Sequence, residues 1–164
     1  MIKNILIIIL PIFILSNCGY APIYKNQENV NFSIDIIAFS GDRSINNKIK
    51  SRLKNYTLNE RANKFAISFN SDYRKNIVAK DTTGAATEYK IIIETEFIIL
   101  SSNKEQQLKL VESFNMQKIN DKLEEQDYEE SIKNSLTNII ARKLVLRLSQ
   151  IKWLLNILIS IKSI

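Results

Sequence analysis

The chain of 164 residues contains no histidine, one cysteine (Cys18) and only three glycines. The lack of histidine excludes imidazole acid–base catalysis, Ser–His and Cys–His nucleophile pairs, and the usual zinc sites. A single cysteine cannot form a disulfide within the chain, so the fold must be stabilised by its core. Gly19, Gly41 and Gly84 are too scattered for a glycine-rich phosphate-binding loop. Carboxylate chemistry is the remaining route to catalysis.

The acidic residues are most concentrated in a segment with Glu124, Glu125, Asp127, Glu129 and Glu130. Asp127 and Glu130 have the spacing of a capping box, which satisfies the free backbone N–H groups at the start of a helix. Acidic side chains in a first turn also interact favourably with the helix dipole. We therefore interpret the segment as a helix start, and we predict a protein that is not an enzyme and uses no metal or other cofactor.

The N-terminus has the layout of a secretory signal peptide. Lys3 precedes an apolar run from Ile5 to Leu15, which is shorter than the roughly 17–25 residues of a membrane-spanning helix. The run ends in Leu15-Ser16-Asn17-Cys18, which resembles the bacterial lipobox. We expect cleavage before Cys18 and lipidation of that cysteine by a diacylglycerol and an N-acyl chain, which would hold the chain at a membrane. The alternatives are a cleaved signal with an incidental cysteine and an uncleaved anchor.

The predicted organisation is a signal peptide (1–17), a lipidated tether (18–31), one domain (32–150) and an apolar tail (151–164). Gly19 occupies the position at which an aspartate commonly retains enterobacterial lipoproteins in the inner membrane. We therefore expect the periplasmic side of the outer membrane. The sequence carries 23 basic against 17 acidic residues, and this net charge of +6 suits an anionic partner such as a lipid headgroup. No nucleic-acid partner is expected.

Alternation of apolar and polar residues predicts four strands. They run from Phe32 to Phe39, from Lys64 to Ala79, from Tyr89 to Ile99, and from Leu108 to Met116 with an interruption at Glu112. The sequences Asp81–Gly84 and Ser101–Lys104 are typical of the turns that join the last three strands.

Apolar stripes at helical spacing predict two helices. The first follows a cap at Asp42 or Ser44 and contains Ile45, Ile49, Leu53 and Tyr56; the second follows Asp127 and contains Ile132, Leu136, Ile139, Ile140 and Leu144. The order is β-α-β-β-β-α. It predicts a two-layer α+β sandwich, in which two helices cover one face of a four-stranded sheet. Lys90, Glu94 and Glu96 would lie on the other face.

The tail from Ile151 to Ile164 is apolar nearly all round if it continues the last helix. It is too short to span a bilayer. Burial against the domain, a position at a membrane interface and docking into a partner all remain open.

The sequence Cys18-Gly19-Tyr20-Ala21-Pro22-Ile23-Tyr24 resembles the mature start of the lipopolysaccharide (LPS) assembly lipoproteins of the LptE family, in particular the alpha-proteobacterial type. The resemblance extends in pattern through the basic helix, the hairpin around Asp81–Gly84, the strand Glu88–Leu100 and the helix Ile132–Leu148. It thus covers most of Cys18–Gln150, and the tail has no counterpart.

The resemblance implies a subunit that plugs the LptD β-barrel in the outer membrane, assists its assembly and contacts LPS during delivery to the cell surface. Cationic side chains near the hairpin would then meet lipid A phosphates, and we take Arg74, Lys75 and Lys80 as the candidates. The alternative is another outer-membrane lipoprotein, such as a barrel-assembly accessory or a secretin pilotin. A carboxylate-based envelope enzyme is a third hypothesis.

Overall fold

The computed structural model describes residues 32–57, 63–101 and 104–162, with side chains up to Ile151. The elements are β1 (Phe32–Gly41), α1 (Arg43–Thr57), β2 (Asn63–Lys80), β3 (Ala86–Ser101), β4 (Lys104–Gln117) and α2 (Lys122–Lys162). The strands form one sheet in the order β1-β2-β3-β4, in which β1 and β2 are parallel and the other pairs antiparallel. The predicted β-α-β-β-β-α fold is confirmed. The predicted signal peptide, Cys18, the tether, and Ser102 and Asn103 of the predicted second turn lie outside the described residues.

The helix α1 connects the two parallel strands. Asp42 caps it, because its Oδ1 accepts a hydrogen bond of 2.9 Å from the N–H of Ile45. Ile45, Ile49 and Leu53 recur at helical spacing and are fully buried against the sheet, as the sequence predicts. Near the other end of the helix, the ring of Tyr56 stacks on that of Phe32, with centroids 5.9 Å apart.

The turn from β1 into α1 depends on Gly41, which has a φ of +87°. The next N–H, that of Asp42, donates a hydrogen bond of 2.7 Å to the carbonyl oxygen of Ser71 on β2. A Cβ atom on Gly41 would lie 2.0 Å from the same oxygen. Only glycine therefore fits this close approach of the two backbones.

The strands β2 and β3 form a long hairpin that extends beyond β1. The last β1–β2 pair is Gly41–Ser71, whereas the β2–β3 pairing continues to Lys80–Ala86. The predicted turn at Asp81–Gly84 is confirmed: Asp81 Oδ1 accepts hydrogen bonds from the backbone N–H groups of Thr83 and Ala85 at 2.8 and 3.0 Å. Gly84 adopts a φ of +87° there.

One face of the sheet is the buried face, and both helices cover it. The buried strand residues alternate as expected; among them are Phe65, Ile67 and Phe69 on β2, Ile91, Ile93, Phe97 and Ile99 on β3, and Met116 on β4. From α2, Leu136, Ile140, Leu144 and Leu148 are buried at helical spacing. The opposite face, with Lys90, Glu94 and Glu96, carries no helix among the described elements, and we call it the open face.

Two sequence predictions about the elements are wrong. The helix α2 begins at Lys122 rather than after Asp127, because the Oδ1 of Asp121 caps it by accepting hydrogen bonds from the N–H groups of Leu123 (2.8 Å) and Glu124 (2.9 Å). The strand β4 is not interrupted at Glu112, which stays in register with Ile93. Glu112 is tolerated on the buried face because its carboxylate pairs with Lys143 of α2.

The helix α2 continues beyond the sheet-covering residues to Lys162. The first twelve residues of the predicted tail, Ile151–Lys162, are therefore helical in their backbone. None of the helices in the described ranges is long and apolar enough to cross a membrane.

Candidate functional site

The candidate LPS-contact residues lie on the part of the hairpin that projects past β1. Successive side chains of a strand point to opposite faces of its sheet. Lys75, which pairs with buried Ile91, therefore faces α2, while its neighbour Arg74 faces the open side. Lys80 is the last residue of β2 and lies next to the turn. The structure thus gives the three candidates three different surroundings.

Lys75 lies at the centre of a charged cluster between the hairpin and the start of α2. Its Nζ is 2.8 Å from Glu125 Oε1 and 2.8 Å from Glu129 Oε2. The hydroxyl of Tyr73 donates a hydrogen bond of 2.6 Å to Glu129 Oε1, and Lys133 Nζ is 2.9 Å from the same atom. We call these five residues the hairpin–helix cluster. It connects β2 to α2 through charge-assisted hydrogen bonds.

The two ammonium groups of the cluster each lie over an aromatic ring. Lys75 Nζ lies 4.3 Å from the ring centroid of Tyr89, and Lys133 Nζ lies 4.1 Å from that of Tyr73. A cation over an aromatic face at this distance is attracted by the negative potential of the ring. The aromatic residues at the ends of the apolar stripes of β2 and β3 therefore separate the apolar core from the charged cluster.

The pKa values of the cluster reflect these contacts. Burial alone would raise the pKa of Glu129, but the hydrogen bonds from Lys75, Tyr73 and Lys133 outweigh it and lower the pKa to about 2. Burial and the hydrogen bond to the negatively charged Glu129 raise the pKa of Tyr73. Burial opposes the charge of Lys75, yet its hydrogen bonds to Glu125 and Glu129 raise its pKa. Lys75 and Glu129 are therefore both held in their charged forms at neutral pH.

Arg74 belongs to a row of ion pairs on the open face. Its guanidinium is 3.0 Å from Glu94 and 3.3 Å from Asp72, and Lys109 of β4 contacts both Glu94 and Glu96. The hydrogen bond from Lys109 lowers the pKa of Glu94. The Arg74 side chain remains 49% exposed, so it is accessible to a further anion even though it has carboxylate partners.

Lys80 has the most open surroundings of the three. Its side chain is exposed, and no carboxylate in the described residues forms an ion pair with it. Ile77 and Val78, three and two positions before it, are also more than half exposed. The last residues of β2 thus carry an exposed ammonium group and two exposed apolar side chains, which are the kinds of group that an amphiphilic anion contacts.

No group of acidic or metal-ligating residues in the described ranges has the geometry of a metal site. One groove of about 430 Å³ crosses the strands, and its lining includes Glu96 and Lys109. These two side chains are 3.3 Å apart and form an ion pair. The groove therefore contains no pair of carboxylates of the kind that general acid–base catalysis by acids alone would need.

The sequence prediction missed the role of the acidic segment. It treated Asp127 and Glu130 as a capping box, whereas the same spacing occurs six residues earlier, at Asp121 and Glu124. With the earlier start, Glu125, Glu129 and Lys133 fall at four-residue intervals on one side of α2. This spacing was the available signal that these charges face the sheet together.

The comparisons with known proteins agree with this architecture. A family model described as "LptE: Lipopolysaccharide-assembly" matches residues 31–148, which span the sheet and both helices. No curated protein matches the sequence significantly.

Solved structures share the fold, among them two lipoproteins. The crystal structure of rare lipoprotein B from Shewanella oneidensis is similar with a TM-score of 0.60 and 14% identity, covering 76% of this chain and 98% of that one. The solution structure of an uncharacterized lipoprotein B from Nitrosomonas europaea is similar with a TM-score of 0.51 and 12% identity, covering 75% and 88%. Since the family model matches well over half of the chain, the protein belongs to the LptE family of lipopolysaccharide-assembly lipoproteins.

Proposed function

We propose that this protein is the plug of an LptD-type β-barrel in the outer membrane, where it assists barrel assembly and contacts LPS on its way to the cell surface. The observation that carries the proposal is the family match across the whole domain. The domain acts as a structural and binding subunit, with no catalytic step of its own.

The distribution of charge supports a plug. The lumen of a large outer-membrane barrel is polar. On the open face, ion pairs link Arg74, Glu94 and Lys109 across three strands. On the helix side, Lys48 of α1 forms an ion pair of 2.5 Å with Glu130 of α2, and both side chains are partly exposed to solvent. A domain with polar groups on both faces suits an enclosure that contacts it from several sides.

Attachment to the membrane would come from Cys18. The lipobox-like Leu15–Cys18 supports cleavage before the cysteine and acylation of its thiol. One acyl chain anchors a protein only marginally, whereas two or three on Cys18 would hold it at the periplasmic side of the outer membrane. Mass spectrometry of the mature N-terminus tests this part: acyl chains on Cys18 are expected, and a free thiol or a retained Ile5–Leu15 would contradict it.

Contact with LPS would occur at the projecting hairpin. Among the three basic candidates, Lys80 has no carboxylate partner in the described residues and is available to a phosphate, and Arg74 could add a phosphate to its existing carboxylates. Lys75 contributes chiefly by fixing the hairpin on α2 through Glu125 and Glu129. We therefore expect the contribution to LPS affinity to decrease in the order Lys80, Arg74, Lys75.

Purification of the tagged, lipidated protein from outer membranes in mild detergent tests the function. One large β-barrel is expected to co-purify in equimolar amount. A secretin multimer, or several barrel-assembly subunits without such a barrel, would instead support the alternative lipoprotein functions.

A further inference from the structure

The segment Ile151–Lys162, which we call the terminal segment, continues α2 after the last described side chains that cover the sheet. Among the side chains of α2 that the structure describes, which end at Ile151, Leu148 is the last that is fully buried, and Ile151 is partly exposed. The helical backbone continues from there to Lys162. At about 1.5 Å per residue the segment adds about 18 Å to the helix. It needs an apolar environment, because its sequence is dominated by Ile, Leu and Trp.

The topology places the start of this segment at the end of the domain where the chain enters. Phe32 pairs with Asn63, the first residue of β2, so β1 begins far from the hairpin turn that follows Lys80. The helix α2 runs in the opposite direction to β1, from its contact with the hairpin at Glu125 towards the end of the sheet where β1 begins. The apolar segment therefore starts at the end opposite the hairpin.

The length of the tether permits the lipid and the terminal segment to reach one membrane surface. Cys18 precedes Phe32 by 14 positions, which span at most about 50 Å when extended. The chain enters the sheet at the end where the terminal segment leaves the domain. A bilayer that holds the acyl chains of Cys18 is thus within reach of the segment.

The charge of the C-terminal part of the chain, from Ser131 onwards, also fits a membrane surface. From Ser131 to Ile164 there is no acidic residue, whereas the same stretch carries basic residues at Lys133, Arg142, Lys143, Arg147, Lys152 and Lys162. Arg142 and Arg147 are exposed, and neither has a carboxylate partner in the described part of the molecule. Basic residues beside an apolar helix add electrostatic attraction to anionic headgroups.

The sequence pattern of the segment favours a helix that lies along a membrane rather than across it. Its polar residues Lys152, Asn156 and Ser160 recur at four-residue intervals, which is the spacing of one narrow stripe on a helix. About 18 Å of helix is too short for a hydrocarbon core of about 30 Å. A broad apolar surface with a narrow polar stripe and flanking lysines is suited to the boundary between headgroups and acyl chains.

We infer that the terminal segment is a second membrane attachment, which binds the headgroup–acyl boundary of an anionic bilayer on the side that holds the lipid anchor. The inference rests on the proposed membrane location of the protein. It adds to that proposal a direct contact between the polypeptide and lipid at the end opposite the LPS-contact hairpin.

The chain contains its own probe, because Trp153 is its only tryptophan and lies in the terminal segment. The mature chain (18–164) with Cys18→Ala, which carries no lipid, is mixed with phosphatidylethanolamine–phosphatidylglycerol vesicles. The expected result is a shift of Trp153 emission to shorter wavelength, quenching by brominated acyl chains and flotation with the vesicles. All three effects should weaken with phosphatidylcholine vesicles, which lack net negative charge.

A matched pair of variants separates the segment from general hydrophobic binding. Leu154→Lys combined with Leu158→Lys should abolish the shift and flotation. Leu146→Lys, at a 55% exposed position of α2 before the segment, should leave both intact. If the lipid-free chain does not fold, quenching of Trp153 by brominated lipids is measured in the lipidated protein in the same vesicles.

Three results would overturn the inference. Emission that shifts with protein concentration but not with vesicles would indicate contact with a second copy. Emission already at short wavelength in buffer and unchanged by vesicles would indicate packing on the domain itself. Emission of Trp153 at short wavelength only in the purified barrel complex, and not with vesicles, would indicate that the segment docks into that barrel. Each leaves the co-purification of a barrel unaffected, so failure of this inference is distinguishable from failure of the proposed function.

Discussion

Lys75 and Glu129 lie 54 positions apart in the sequence, and the lysine Nζ is 2.8 Å from Oε2 of the glutamate. This ion pair joins the projecting part of β2 to the start of α2, where β1 no longer supports the sheet. Both side chains are largely shielded from solvent, with 25% and 17% exposure. The pair therefore fixes the direction in which the hairpin projects.

Removal of the negative charge of Glu129 should destabilise the domain. In Glu129→Gln, Lys133 loses its carboxylate partner and Lys75 keeps only Glu125, and the loss of a partner by a shielded polar group costs about 1–3 kcal/mol. Urea denaturation followed by circular dichroism measures the difference. Glu105→Gln is the matched control, since Glu105 is exposed and makes no ion pair in the described structure. Equal stability of the two variants would contradict a structural role for the cluster.

The lowered pKa of Glu129 predicts that the domain loses stability in acid. The pKa of Glu129 is lowered from 4.5 to about 2, so the folded state binds fewer protons than the unfolded state between these values. The contribution of Glu129 is therefore complete above about pH 4.5 and is lost as the pH falls towards about 2. The free energy of unfolding measured across this range should decrease less steeply in Glu129→Gln. Parallel curves for the variant and the wild type would show that Glu129 has no such role.

Two glycines with the same φ of +87° should respond differently to substitution. Alanine at Gly84 meets no atom within 4 Å, so only the backbone strain of about 1–2 kcal/mol is expected. Alanine at Gly41 would place its Cβ 2.0 Å from Ser71 O, and the β1–α1 connection would have to shift. Thermal unfolding should therefore show a much lower Tm for Gly41→Ala than for Gly84→Ala. A similar Tm for both would contradict the close approach at Ser71.

Much of this architecture could be predicted from the sequence, because apolar periodicity determines which face of each element is buried. The stripes Ile45–Leu53 and Ile91–Ile99 identified the core correctly. The polar contacts between β2 and α2 could not be predicted, since periodicity gives the face of Lys75 but not which distant carboxylate lies opposite. The start of α2 was wrong because two capping signatures overlap, and the side chain of Asp121 makes the actual cap.

LPS binding should depend on Lys80 more than on a basic residue elsewhere. Lys80→Gln removes an exposed ammonium at the hairpin end, and cation–phosphate contacts are stronger than neutral hydrogen bonds. Lys104→Gln is the matched control, because Lys104 is an exposed lysine far from the hairpin turn. It lies opposite Ser101 in the β3–β4 register, at the other end of β3. LPS affinity should decrease for Lys80→Gln, decrease further with Arg74→Gln added, and weaken for the wild type as salt rises.

Lys75→Gln serves a different purpose in this series. Lys75→Gln also breaks the ion pairs with Glu125 and Glu129. A change in its LPS affinity is therefore interpreted together with its circular dichroism spectrum, which shows whether the variant is still folded. Equal LPS affinity for the double variant Lys80→Gln with Arg74→Gln, for Lys104→Gln and for the wild type at every salt concentration would exclude the hairpin as the contact site. The plug function does not depend on that outcome.

The central claim, that a barrel encloses this domain, is tested most directly by photocrosslinking from different sides of the folded protein in cells. A photoreactive amino acid is placed singly at Ser51 on α1, Asn138 on α2 and Asn115 on the open face of the sheet, all of which are exposed. Samples kept in the dark are the control. Crosslinks from all three positions to one large β-barrel are the predicted result. Crosslinks from one side only, or to no barrel, would contradict a plug and favour an accessory lipoprotein that docks through a single surface.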